Sequence, residues 1–117
     1  MTKSVRELDV FQKAHHFVLD VYSLTQKFPK VEMYGLTSQF RRAAVSIPAN
    51  IAEGYARRGK KDKIRFYNIA EGSIKECRYY VMLSKDLKYP INESMIEQLN
   101  TIGKMLKQYI KKIEESI

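Results

Sequence analysis

Apolar residues recur along this chain at steps of three and four, the period of a helix that buries one side. Val10, Ala14, Phe17, Val18, Val21, Leu24 and Phe28 trace the first such stripe and predict a helix over Val10 to Phe28. Asp9 stands where a cap is expected, and Phe28-Pro29 ends the segment because a residue before proline is pushed out of helical geometry. After a loop from Pro29 to Gly35, the positions Leu36, Phe40, Ala43, Ala44, Ile47, Ile51 and Tyr55 predict a second helix. Pro48 lies inside it and removes the amide bond to the carbonyl of Ala44. The stripe keeps its phase across the proline, so a bend is expected and not a break. Asn50 or Ser46 is expected to satisfy the freed carbonyl.

A third helix is predicted from Lys61 to Leu87 with two apolar stripes: Tyr67, Ala70, Ile74, Cys77 and Val81, and then Phe66, Ile69, Tyr80, Leu83 and Leu87. A helix apolar around so much of its circumference needs cover on more than one side, which points to a subunit interface beside the core. Lys88 to Ile91 reads as a turn, and Asn92 as the cap of a fourth helix with the stripe Met95, Leu99, Ile102, Leu106, Tyr109, Ile113 and Ile117. Four helices of about 30 Å with short connections pack most readily as an all-α, antiparallel, up-down-up-down four-helix bundle, one domain over residues 1–117.

Composition agrees. Among 117 residues there are only three prolines and five glycines, too few for the frequent turns of an all-β domain. No apolar run is long enough to span a membrane, and the N-terminal stretch lacks the apolar core of a secretory signal. A cytoplasmic location with no membrane partner is therefore expected, and the lone Cys77 fits a reducing compartment. The net charge of +8 changes the picture more, because such a surplus on a small domain attracts polyanions.

Catalysis needs a constellation, and none emerges. His15 and His16 are adjacent on one helix, so their side chains diverge by about 100° and cannot close on one metal ion. Cys77 sits on an apolar stripe as a small core residue. No phosphate loop or zinc spacing occurs. Small basic helical ribonucleases carry an arginine followed a few residues on by a histidine, and here both histidines precede every arginine but Arg6. Glu53, Glu71 and Glu76 could cluster as in di-iron bundles, but the Glu-x-x-His partner is missing. The chain is expected to be no enzyme, with no cofactor and no metal.

The feature above background is the basic segment Arg57, Arg58, Lys60, Lys61, Lys63 and Arg65, between the second and third helices. Most charge runs are simply solvated loops. The functional alternative is a phosphate-binding patch, since each Lys or Arg that meets a phosphate releases counterions whatever the base sequence. Arg41 and Arg42, with the tail lysines Lys104, Lys107, Lys111 and Lys112, add positive charge. Tyr55 and Tyr67 could stack on bases, although their stripe positions favour the core.

The run Tyr34-Gly35-Leu36-Thr37-Ser38-Gln39-Phe40-Arg41-Arg42-Ala43-Ala44-Val45-Ser46-Ile47-Pro48-Ala49-Asn50-Ile51-Ala52-Glu53-Gly54 resembles the signature of the 23S ribosomal RNA intervening-sequence proteins, also called the four-helix bundle protein family. The similarity extends from Val10-Phe11-Gln12-Lys13-Ala14 through Ile64-Arg65-Phe66 and Gly72-Ser73 to Asp86-Leu87 and Tyr89. The resemblance implies a bundle that assembles as a ring, usually a homopentamer, without enzymatic activity. Members have been suspected of binding RNA, and related accessory proteins of diversity-generating retroelements bind nucleic acid and a reverse transcriptase. Phe11 replaces the family's tryptophan, Gly59 its serine before the basic pair, and Lys88 its glycine after the Asp-Leu pair.

Two expectations follow. The first is a homo-oligomer that binds RNA or DNA through phosphates with little sequence discrimination, where Arg41, Arg42, Arg57 and Arg58 could line a ring and gain avidity by repetition. The second is a protein-interaction scaffold, for instance an adaptor for a reverse transcriptase.

Overall fold

Residues 4–117 are described in the computed structural model, and every regular element among them is helical. The first helix, α1 (Asp9–Thr25), buries Val10, Ala14, Phe17, Val18 and Val21. Asp9 is its first residue and not its cap; extended Leu8 precedes it and no side chain caps the start. The helix also stops three residues before Phe28. Thr25 turns its hydroxyl onto the Val21 carbonyl at 2.7 Å, and tight turns carry the chain to Phe28, whose ring packs on Tyr89.

The second helix, α2 (Leu36–Ala56), runs unbroken through buried Pro48. The role expected of Asn50 is corrected: its Nδ2 donates to Ser46 O at 2.8 Å and Ser46 Oγ at 2.9 Å, not to Ala44. A helical side chain reaches back one turn, and one turn back from Asn50 is Ser46. Ser46 in turn accepts from Ser73 Oγ at 2.8 Å, which ties α2 to the third helix.

That helix, α3 (Lys60–Asp86), ends in paired bonds from the Lys88 amide to Lys85 O and from the Tyr89 amide to Ser84 O. This closure requires a left-handed residue, and Lys88 supplies it with φ of 63°. The glycine of the family pattern falls on this position. The fourth helix, α4 (Ser94–Glu115), starts where Asn92 Oδ1 accepts from the Ser94 amide at 3.1 Å. Its buried stripe runs through Met95, Leu99, Ile102 and Leu106 to Ile110, while Tyr109 and Ile113 are half-buried and Ile117 is exposed. The expected continuation to Ile117 fails because α4 ends at Glu115, before it.

Contacts run in opposite directions along each neighbouring pair. On α2 and α3, Phe40 meets Tyr80, Ser46 meets Ser73, and Gly54 meets Tyr67. Arg78 of α3 bonds Asn100 of α4, and Gln98 near the start of α4 bonds Asp20 late in α1. Each helix therefore packs antiparallel to its chain neighbour, and α4 closes on α1, giving a four-helix bundle of 46 × 21 × 21 Å. The α2–α3 seam is the most extensive. A Cβ on Gly54 would lie 2.5 Å from the Tyr67 ring, so the missing side chain is what lets these helices approach.

The two stripes of α3 fare differently. Tyr67, Ala70, Ile74, Cys77 and Val81 enter the core, and Phe66, Tyr80 and Leu83 are half-buried. Ile69 and Leu87 remain 44% and 45% exposed, joined on the outer side by Tyr79 and Met82 at 52% and 53%. Burial pushes the Cys77 thiol up to about 12, with Glu76 adding to it, as befits an inert core residue. Among the described residues no helix is long and apolar enough to cross a membrane.

Candidate nucleic-acid interface

The basic segment falls at one end of the bundle, where α2 stops at Ala56 and α3 starts at Lys60. Arg57 and Gly59 are extended, so the chain turns through a short connection that projects its side chains outward. Between Arg57 and Arg65 six basic residues face a single acid, Asp62.

The eight candidate residues are not equivalent. Arg57 pairs with Glu53 at 2.7 Å and lies 3.9 Å from Asp62, which in turn accepts from Arg65 at 3.0 Å. Both guanidinium groups also lie over the Phe66 ring, at 4.7 and 4.5 Å from its centroid. Exposed pairs of this kind contribute about 0–1 kcal/mol each, but they offset local charge. Lys63 points its ammonium at the carbonyls of Gly54 and Tyr55, at 3.2 and 2.8 Å, and so caps the end of α2. Burial lowers its pKa, another mark of a structural role. Lys60 donates to Ser116 O at 2.7 Å, bringing the end of α4 beside the basic connection while its charge stays uncompensated.

Arg58 and Lys61 are exposed, and no hydrogen bond or ion pair engages them among the described residues. With Lys60 they are cations of the connection free to meet an anion, and exposed Lys111 and Lys112 of α4 lie toward the same end among the described residues.

Arg41 and Arg42 lie elsewhere. From Arg42 to Ala56 the helix rises about 21 Å, so these two sit near the opposite end of the bundle. The expectation of one basic surface made from Arg41, Arg42, Arg57 and Arg58 is thus corrected within the protomer: the length of α2 holds the two pairs apart. Arg41 is a strut, donating to Thr25 Oγ1 at 2.8 Å and Tyr22 O at 3.4 Å while stacking over the Tyr22 ring. Arg42 is exposed with no such partner among the described residues. Lys30, which the sequence pattern did not single out, lines the same concavity as both arginines; only the fold of the α1–α2 loop brings it there.

The remaining chemistry stays dispersed. His15 stacks on Phe11 in the α1–α2 groove while His16 faces α4. Glu53 is spent on Arg57, and no group of three His, Cys, Asp or Glu side chains converges among the described residues. Tyr67 is buried against Tyr109, which removes it as a base-stacking platform.

Comparison with known proteins agrees with this architecture. A crystal structure from Bacteroides thetaiotaomicron, of a protein with unknown function from the S23 ribosomal protein family, matches with a TM-score of 0.80 and 26% identity, covering 87% of this chain and 98% of that one. No curated protein matches. The model of the 23S rRNA-intervening sequence proteins matches residues 6–108, from the turn before α1 to late α4. With that match over most of its length, on four antiparallel helices, the chain belongs to the 23S rRNA-intervening sequence protein family.

Proposed function

We propose that this protein is a non-enzymatic, homo-oligomeric nucleic-acid-binding protein that holds RNA through its phosphates with little sequence discrimination. The observation that carries the reading is the trio Arg58, Lys60 and Lys61, exposed at one end of the bundle with no carboxylate partner among the described residues. Each phosphate met there releases condensed counterions, a gain that depends on charge and not on base identity. Phe66, with the Arg57 and Arg65 guanidinium groups over its ring, gives the patch an aromatic floor.

Assembly is the second part of the proposal. The outer side of α3 offers the exposed apolar side chains Ile69, Tyr79, Met82 and Leu87, an outer band open to protein contact. A closed ring, a homopentamer by the family resemblance, would cover this band and repeat the basic trio around the assembly, raising avidity without new contacts. The same band also favours a second reading, an adaptor for another protein.

The test is fluorescence anisotropy with labelled single-stranded RNA. Reversing charge in the Arg58→Glu, Lys61→Glu double variant weakens binding by roughly tenfold or more at about 0.1 M salt, by analogy with two lost phosphate contacts. Unchanged affinity rejects the patch. Light scattering gives a multiple of the 13.7 kDa chain mass, and Tyr79→Glu lowers it. Material co-purified from lysate that survives nuclease treatment would instead favour the adaptor.

A further inference from the structure

A concavity of about 610 Å³ lies at the end opposite the basic trio, between the α1–α2 loop and the first turns of α2. Its walls carry Lys30, Arg41 and Arg42, and no aspartate or glutamate lines it. Thr37 and Ser38 sit one helical turn before Arg41 and Arg42, which stacks each hydroxyl beside a guanidinium on one face of α2.

Several polar groups here lack partners. Thr37 is only 7% exposed, yet no hydrogen bond engages its hydroxyl among the described residues. The hydroxyl is not sealed in the core, and Thr37 lines the concavity, so a ligand oxygen entering there can bond it. The first amide of α2, Leu36 N, is capped by Glu32 Oε1 at 3.2 Å, but the Thr37 and Ser38 amides find no acceptor among the described residues. Glu32 stays at the helix start, with one oxygen on the Leu36 amide and the other accepting from the Tyr89 hydroxyl at 2.7 Å. The Thr37 and Ser38 amides at the start of this 21-residue helix add donors to the cationic wall, while the Glu32 carboxylate on Leu36 offsets part of the helix's positive end. Phe28, Pro29 and Met33 give the rest of the cavity an apolar lining.

From this arrangement we infer that the concavity is a phosphate-monoester pocket, separate from the basic trio, which takes a 5′-phosphate together with the nucleoside that bears it. Arg42 and Lys30 supply mobile charge, the Thr37 and Ser38 hydroxyls and amides bond the phosphate oxygens, and the apolar lining accommodates the attached group. Arg41 is already committed to Thr25 and Tyr22, and fixes the wall in place. The volume falls within the range of small-molecule sites and fits one nucleotide.

The source of the phosphate, a free nucleotide or the end of an RNA chain, is resolved by the ligands used. Calorimetry is run on the full chain with adenosine 5′-monophosphate against adenosine, and with one RNA sequence carrying either a 5′-phosphate or a 5′-hydroxyl. At least one phosphorylated ligand binds roughly tenfold tighter than its unphosphorylated counterpart, the scale of a charge-assisted contact. A preference seen only for the mononucleotide identifies a free nucleotide; one seen with RNA identifies the chain end. Arg42→Ala and, separately, the isosteric Thr37→Val reduce the preference to within about twofold, while Arg58→Ala leaves it intact. Thermal melting confirms that each variant folds. The inference is overturned if neither pair shows a preference, or if Arg58→Ala abolishes it as fully as Arg42→Ala. Binding of 5′-hydroxyl RNA reports on the basic trio alone, so the two sites fail independently.

Discussion

Lys88 holds a backbone conformation that its side chain disfavours, and replacing it with glycine should stabilise the protein. With φ of 63° it is the one non-glycine residue in the left-handed region among those described. The closure of α3 demands this, since the Lys88 and Tyr89 amides bond Lys85 O and Ser84 O at 3.0 and 2.9 Å. A side chain in that region costs about 1–2 kcal/mol, which glycine avoids. Against this, glycine makes the unfolded chain freer by about 0.4–1 kcal/mol. The favourable effect of a lysine charge at a helix C-terminus, about 0.3 kcal/mol or more when exposed, is also lost. The net for Lys88→Gly is a gain of about 0.5 kcal/mol, or roughly 2–4 °C in Tm for a domain of this size. Differential scanning calorimetry reads the shift, and Lys88→Ala serves as the control that loses the charge while keeping the strain. Glycine should raise Tm and alanine lower it slightly. If glycine lowers Tm as much as alanine does, the side chain and not the backbone governs this position, and the reasoning fails.

Two further outcomes test the packing. Gly54→Ala adds a methyl group 2.5 Å from the buried Tyr67 ring, so about 1–3 kcal/mol of overpacking outweighs the helix propensity gained, and urea denaturation finds a lower midpoint. At alkaline pH, burial holds the Tyr67 phenol up to about 12, with Tyr109 and Tyr55 adding to the effect, and holds Cys77 similarly high. Raised values favour the neutral forms in the fold, so their stabilisation is whole below the unfolded values of 10.0 and 9.0 and is lost as pH climbs toward 12. Lys63, lowered by burial, works in the opposite sense but is partly exposed. Circular dichroism should show cooperative unfolding within that window, with Cys77 unreactive to thiol reagents at lower pH; a helical signal constant through pH 12 contradicts it.

The bundle was legible because period and punctuation agree: four stripes, separated by Pro29, Gly35, Gly59 and Pro90, became four helices. The ends were less so. Asp9 has the chemistry of a cap but enters the helix, because Leu8 already provides the extended turn. The buried stripe of α4 ends at Ile110 and Ile117 stays exposed, because the helix stops at Glu115. For the interface, the run of charges was visible but its division of labour was not. Whether Lys63 caps a helix or faces solvent depends on carbonyls nine and eight residues away, and whether Arg41 is free depends on a residue of another helix. Pairing of Arg57 and Arg65 through Asp62 follows from spacing that the sequence did contain.

The central claim is that the protein grips phosphates with the unpaired cations at the α2–α3 connection. The salt dependence of single-stranded RNA binding tests it most directly, measured for the wild type and for a variant in which Arg58, Lys60 and Lys61 are replaced by alanine. Each phosphate contact contributes about −0.7 to the slope of log K against log salt, so the variant's slope should be shallower by about 2 per bound protomer. A wild-type slope near zero, or one that the three substitutions leave unchanged, would contradict the claim.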